Sequence, residues 1–291
     1  MAFNLEQLTS YVDEQRLPLI KKAVLGGKTI GLINLQTGVK HSSALNLLNL
    51  NPVIQEGGCG WNDSGTATLS QRVIVADNYK VNMSFCYKDL LSTWAGYTVK
   101  AGLNGTSTSF DEYITSGVIE GIVAKLERNV WQGDKDNAGE FDGFLTILAT
   151  DGAITAEGTG AYNAIKSAYN AIPVEVLPKS VIFVGADTFR SFMMEMVEKN
   201  YFHYPADGAD VQEFVMPGTN TKVIAVNGLN GSNKVVACNP MNLFFGCDML
   251  DDAETFDFFY DKSNREMRMA VEFNAGVQVA YPDEVVVATV K

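Results

Sequence analysis

The strongest hydrophobic period in the chain follows Ser109-Phe110-Asp111-Glu112, a Ser-x-x-Glu arrangement that can close a capping box at a helix start. Ile114, Val118, Ile122, Leu126 and Val130 then recur every four residues, the spacing of one helix face. The pattern predicts a helix of about 22 residues, roughly 33 Å long. Trp131-Gln132-Gly133-Asp134 ends it, with Gly133 as the stop. Towards the C-terminus the period changes to two. Phe256–Tyr260 reads as a strand and Asp261-Lys262-Ser263-Asn264 as a turn. Met267, Met269, Val271 and Phe273 then alternate with Glu266, Arg268, Ala270 and Glu272. Val277, Val279 and Tyr281 continue the alternation, Pro282-Asp283 breaks it, and Val285–Val290 reads as a last buried strand.

A second period-two stretch lies before the helix. Between Val53 and Phe85 the chain reads as a long hairpin, with Gly57-Gly58-Cys59-Gly60 as a turn or bulge. Val73 and Val75 alternate with Arg72 and Ile74. Tyr79, Val81, Met83 and Phe85 alternate with Lys80, Asn82 and Ser84, and Asp77-Asn78 suits a turn between the two runs. Residues 62–72 are mostly small and polar. A two-stranded ribbon with so little apolar surface is marginal alone, so a neighbour, another subunit included, is expected to support it.

The remaining segments are shorter. Residues 4–25 read as a helix capped by Asn4, carrying Leu5, Leu8 and Val12, interrupted at Leu17-Pro18 and stopped by Gly26-Gly27. Residues 29–39 look extended, and Ser42–Leu50 looks like a short apolar helix. Residues 141–245 alternate helix and strand. Ala161–Ile172 and a stripe of Phe189, Phe192, Met193, Met196 and Val197 behind an Asp187 cap are the helices. Ser180–Val184, Lys222–Val226 and Lys234–Ala237 are the strands, the last two predicted to be joined by a hairpin loop at 227–233. This mixed unit reads as a domain of its own.

Composition narrows the functional classes. With 291 residues, 46% hydrophobic and 19% charged, the chain can bury a large core. The formal net charge is −12, which gives no counterion-release affinity for phosphates, so direct nucleic-acid recognition is not expected. No apolar run approaches the ~20 residues of a membrane helix. The start, Met1-Ala2-Phe3-Asn4-Leu5-Glu6, lacks the pattern of a signal peptide, and a cytosolic origin is expected. Cys59, Cys86, Cys238 and Cys247 show no metal or redox spacing.

The search for chemistry ends without a site. His41 and His203 have no ligand partner at helical spacing. Gly27-Lys28-Thr29 matches only the tail of a phosphate-binding loop and reads as a helix stop. Gly158-Thr159-Gly160 lacks the third glycine of a dinucleotide fingerprint, with no clear strand before it. Asp134-Lys135-Asp136-Asn137-Ala138-Gly139 begins like a calcium loop, but Ala138 and Leu145 occupy ligand positions. The acidic run Asp248, Asp251, Asp252, Glu254 reads as a solvated turn. No catalytic, cofactor-binding or metal-binding residue is assigned, no cofactor is expected, and the chain reads as a non-enzyme.

The order of parts resembles the tailed-phage major capsid protein family with its HK-97-type fold, an α+β architecture. The resemblance is carried by Leu35-Gln36-Thr37-Gly38-Val39-Lys40, Gly57-Gly58-Cys59-Gly60-Trp61, Ser70-Gln71-Arg72 and Cys86-Tyr87-Lys88-Asp89-Leu90. It continues in Val130-Trp131-Gln132-Gly133-Asp134 with Phe141-Asp142-Gly143, and in Phe245-Gly246-Cys247-Asp248-Met249 through Gly276–Pro282. It implies an N-terminal arm at 1–51, an E-loop hairpin at 52–90 and a P-domain spine helix at 91–139. An α/β A domain follows at 140–245, then P-domain strands at 246–281 and a C-terminal strand at 282–291 that returns to the A domain.

By the same resemblance, the chain would assemble with itself into the pentamers and hexamers of an icosahedral head around double-stranded DNA. It would bind that DNA without sequence specificity, in the host cytoplasm during assembly and then in the virion. Portal and decoration proteins would be its partners. Because the hairpin starts near residue 52, no fused scaffold domain fits before it, which implies a separate scaffolding protein or none. Lys80 is expected in the hairpin, but no motif supports a covalent crosslink. An encapsulin-type nanocompartment shell is the alternative within the fold. A cytosolic α+β enzyme without a recognisable motif is the alternative from another class, and would expose a concave site with shifted pKa values.

Overall fold

The computed structural model describes residues 19, 21–51, 53–57, 59, 64–86, 110–201, 213–216, 219–248, 255–264 and 266–291. The period-four helix is α1 (Phe110–Gln132), of 23 residues. Ile114, Ile119, Ile122, Leu126 and Val130 are buried along it. Its proposed Ser109 cap lies outside the described residues. So do Asn4, Leu5, Leu8, Val12 and Leu17-Pro18 of the first predicted helix, of which residues 19 and 21–25 are described and helical.

The C-terminal alternation forms the longest strand, β12 (Glu266–Val279). Met267, Met269, Val271 and Phe273 are buried, as their spacing requires of one sheet face. One edge of β12 pairs antiparallel with β4 (Asp77–Cys86). It also pairs with β11 (Thr255–Asp261) and, further on, with β10 (Leu243–Cys247). β10 in turn carries β1 (Asn34–Thr37) in parallel. β1 is the only strand within the predicted extended stretch 29–39, since residues 28–32 form turns.

A second sheet has the order β5-β13-β9-β6-β8-β7. Its members are β5 (Ile154–Gly158), β6 (Val181–Gly185), β7 (Glu213–Val215), β8 (Lys222–Val226), β9 (Lys234–Cys238) and β13 (Val286–Val290). One face packs on α1 through Phe183, Ile224, Val226 and Val236. The other face packs on α3 (Ala161–Ala171) and α4 (Ala186–Glu198) through Ile182, Val184, Val223 and Val235. Burial on both faces accounts for the near-continuous apolar runs of these strands. α2 (Phe144–Asp151) closes the junction of the two sheets, with Phe144 and Leu148 buried.

Several predicted elements change. Ser42–Leu50 is not a helix but most of β2 (Ser42–Asn51), a strand. Its partner is β3 (Thr66–Val75), paired from Ser42↔Val75 to Asn51↔Thr66. The hairpin arms therefore start ten residues before position 52 and end at Val75. Asp77-Asn78 is not its turn: β4 begins one residue after β3 and pairs with β12 instead. Lys80 accordingly sits in the first sheet opposite Glu272, not in the hairpin. β8 and β9 are not a hairpin either, because β6 lies between them, parallel to β8 and antiparallel to β9. The boundary at 245/246 falls inside β10, which belongs wholly to the first sheet. Asp187 lies in the first turn of α4 rather than at its cap, which is Gly185. β5 does precede Gly158-Thr159-Gly160, contrary to the sequence reading.

Candidate assembly surface

The β2–β3 ribbon joins no other strand by a hydrogen-bonded ladder among the described residues. Its two faces differ. The inner face presents Leu45, Leu47 and Ile74, all buried, against Ala280, Phe244 and Tyr281. The outer face presents Val75, Val73, Leu69 and Leu48, all exposed, with Leu69 70% and Leu48 55% accessible. Leu48 and Leu69 are directly paired across the ribbon, and Gln71 donates to Asn46 Oδ1 at 2.7 Å beside them. Beyond the arms, Val53 is exposed and Ile54 is 99% accessible. Large apolar side chains lying side by side on an open ribbon mark an interaction surface. Among the described residues the outer edges of β2 and β3 meet no further strand, which leaves them open to pair with another chain.

The root of the ribbon is held firmly. Ala76 N–H donates to His41 O at 2.8 Å, and Asn274 Nδ2 donates to Lys40 O at 3.2 Å. Arg72 Nη2 reaches Asp151 Oδ2 at the end of α2 and donates to Gln278 Oε1 at 3.2 Å. Gln278 Nε2 donates back to Val73 O at 2.9 Å. At Gly276 a Cβ would lie 1.9 Å from Val75 O, so only glycine allows β12 to approach the end of β3 this closely.

The motifs weighed for chemistry serve the fold. The Thr29 amide donates to Glu127 Oε1 at 3.1 Å, and its hydroxyl donates to the same oxygen. Trp131 Nε1 donates to Thr29 Oγ1 at 2.7 Å. Glu127 is buried, and burial pushes its carboxyl above the usual carboxylate value, opposed by the Thr29 hydroxyl and amide and the Lys28 charge. Gly228, in the loop after β8, meets the same place: a Cβ there would lie 2.2 Å from Glu127 O and 2.3 Å from Trp131 Cδ1. The phosphate-loop-like Gly27-Lys28-Thr29 thus points an amide at a carboxylate of α1, tying the entry segment to the long helix. This junction had no local sequence signal.

At the start of α3 the amides of Ala161 and Tyr162 are likewise taken by Glu195, at 2.8 and 3.1 Å. A carboxylate of α4 occupies the place a nucleotide phosphate would need. In the calcium-like loop, Asp134 Oδ1 accepts from the Asp136 amide at 3.0 Å. Glu140 Oε2 accepts from the Asp134 amide at 3.3 Å, and Asp142 Oδ1 from the Lys135 amide at 3.0 Å. Among the described residues no group of three His, Cys, Asp or Glu side chains could hold a metal ion. His41 is exposed, while His203, Asp251, Asp252 and Glu254 lie outside the described residues. Cys59 and Cys86 are exposed free thiols, and Cys238 and Cys247 are buried. Burial pushes the Cys238 thiol up to about 12. No described helix is long and apolar enough to cross a membrane.

No protein-family model and no curated protein matches the sequence. Solved structures do match. A chain of the satellite phage P4 procapsid is similar at a TM-score of 0.65 and 12% identity, covering 98% of this chain and 97% of that one. A capsid chain of an empty GTA particle is similar at 0.59 and 11% identity, covering 92% and 90%. A virus-like particle from Pyrococcus furiosus is similar at 0.53 and 13% identity, covering 98% of both chains. End-to-end coverage with so little identity is a likeness of backbone and topology, and it gives the chain its class: an α+β protein with the HK-97-type capsid fold.

Proposed function

We propose that the chain is a major capsid protein, which self-assembles as pentamers and hexamers into the icosahedral head of a tailed phage. The carrying observation is the β2–β3 ribbon, with its open edges and the exposed Leu48, Leu69, Val73 and Val75 on its outer face. A ribbon this poor in intramolecular support gains most from a neighbouring copy. Contacts between unlike surfaces of identical chains close into rings when the rotation closes. The net charge of −12 suits a shell filled with double-stranded DNA from outside rather than one that condenses it. On this reading the protein does no catalysis, and it resides in the virion after assembly in the host cytoplasm. It works with a portal, decoration proteins and, where one exists, a scaffolding protein.

A second reading is a nanocompartment shell of the encapsulin type, favoured by the end-to-end likeness to the Pyrococcus furiosus virus-like particle. Electron microscopy of the purified chain tests the shared claim. Closed particles of uniform diameter, or free pentamers and hexamers, are expected. A monodisperse monomer at high concentration, unchanged by co-expressed scaffolding protein, would overturn it. DNA-filled against protein-filled particles from the native source would separate the two readings.

A further inference from the structure

We propose that Arg72 is a positioning residue: its clamp on Asp151 and Gln278 sets the angle at which the ribbon leaves the body, and through that angle the curvature of the assembled shell. The second half of this proposal rests on the shell reading; the first half does not.

Arg72 stands on the inner face of β3, directly opposite Leu45. Its Nη2 contacts two separate parts of the body, the Asp151 carboxylate that ends α2 and Gln278 of β12. Gln278 is itself fixed, because its Oε1 accepts from the Val279 amide at 2.9 Å while its Nε2 holds Val73 O. The arginine and the backbone next to it are thereby fastened to both elements.

Asp151 makes sense only with this partner. A carboxylate in the last turn of a helix faces the negative end of the helix dipole. No basic residue occupies that turn of α2. The compensating charge comes instead from Arg72, 79 positions away in sequence. Arg72 Nε is moreover buried with no hydrogen-bond partner among the described residues. A donor left so is unfavourable. The guanidinium is therefore oriented by its two contacts on the body and not by full satisfaction of its own donors.

The apolar root cannot do this alone. Leu45, Leu47 and Ile74 hold the ribbon against Ala280, but burial is non-directional and tolerates a tilt. A charge-assisted hydrogen bond from a planar guanidinium is directional. From Arg72 to the end of the paired arm at Thr66 is about 20 Å at roughly 3.3 Å per residue, so a tilt of about 10° moves that end by about 3.5 Å. Leu69 and its cross-strand partner Leu48 lie halfway along, about 10 Å from Arg72, and move by about 1.7 Å, enough to spoil close packing of the two leucines on a neighbour.

The test uses the full chain with Cys59→Ser and Cys86→Ser, spin-labelled at Leu69→Cys on the ribbon and Lys166→Cys on α3. Pulsed-dipolar spectroscopy reads the distance distribution. A narrow distribution is expected for the parent, a shifted or at least two-fold broader one for Arg72→Ala and Asp151→Asn, and an intermediate one for Arg72→Lys. Circular dichroism checks that each variant is folded, and Asp151→Asn and Arg72→Lys serve if Arg72→Ala does not fold. Distributions that coincide with the parent's would overturn the clamp. Unlabelled chains are then imaged as particles. Altered or heterogeneous diameters for folded Arg72→Ala or Asp151→Asn, beside uniform parent particles, support the curvature role, and identical diameters overturn it. A parent that forms no particles would defeat the shell reading, while the spin-label result would still decide the clamp.

Discussion

The six-stranded sheet and the β2–β3 ribbon are built from similar residues and reach opposite ends. In the sheet, β6 has a hydrogen-bonded partner on each edge and a layer on each face, and Ile182, Phe183 and Val184 are fully buried. In the ribbon, among the described residues, each strand has one partner and one covered face, and that face is covered only near the root. The sheet supplies its own neighbours from α1, α3 and α4. The ribbon carries leucines and valines that the chain itself leaves in water. On the proposed function, stability within one chain and readiness to join another are separated in space, and the root contacts at Arg72, Ile74 and Gly276 mark the boundary.

The comparison can be broken first from the body side. Trp131 lies 5.3 Å, ring to ring, from both Phe144 and Phe183 and donates to Thr29. Trp131→Ala is expected to lower unfolding free energy by about 3–5 kcal/mol in urea titrations. A loss below about 1 kcal/mol would deny the body its self-sufficiency. At the boundary, Gly276→Ala forces a Cβ against Val75 O and is expected to cost about 1–3 kcal/mol. Amide exchange should report the damage first at Ala76, whose N–H bonds to His41. Unchanged protection there would mean that the root is not held by this close approach.

Glu127 sharpens the contrast through pH. Burial raises its pKa in the folded chain, so the folded state holds this proton more tightly than the unfolded state does. Its stabilising contribution is complete below the unfolded carboxylate value and is lost as pH rises through the raised folded value. Urea midpoints measured from about pH 4 to pH 8 should therefore show a falling component in the wild type that Glu127→Gln lacks. Parallel pH curves for the two proteins would contradict this. The smallest effect is chemical. Under native conditions an alkylating reagent should modify Cys59 and Cys86 only, with Cys238 and Cys247 reacting after unfolding, counted by mass spectrometry. Modification of Cys238 in the native chain would place an opening in the sheet core.

The sequence announced the elements whose burial follows a single period. α1 and β12 each bury one periodic face, so the spacings of Ile122, Leu126 and Val130, and of Met267, Met269 and Val271, sufficed. β2 was misread for an instructive reason. Leu45 and Leu47 point to the body while Leu48 points to solvent, so the strand is apolar on both faces and its period-two signal cancels. The error fell on the segment proposed to meet a neighbour. The Asp77-Asn78 turn failed because the partner of β4 lies far along the chain, where local spacing carries no information. The Thr29–Glu127–Trp131 junction was equally hidden, since Thr29 and Glu127 stand 98 positions apart.

The central claim, that the exposed ribbon face is the assembly element, is tested most directly by sedimentation velocity on two proteins. One is the wild type. The other carries Leu48→Lys and Leu69→Glu, which replaces the exposed pair by opposite charges that can still pair across the ribbon. Both positions are exposed, so the variant should keep the wild-type circular dichroism spectrum, which shows that it is folded. The expected result is large closed particles or capsomers from the wild type and single subunits from the variant. Particles of equal size and yield from both proteins would contradict the claim and move the assembly contact elsewhere on the molecule.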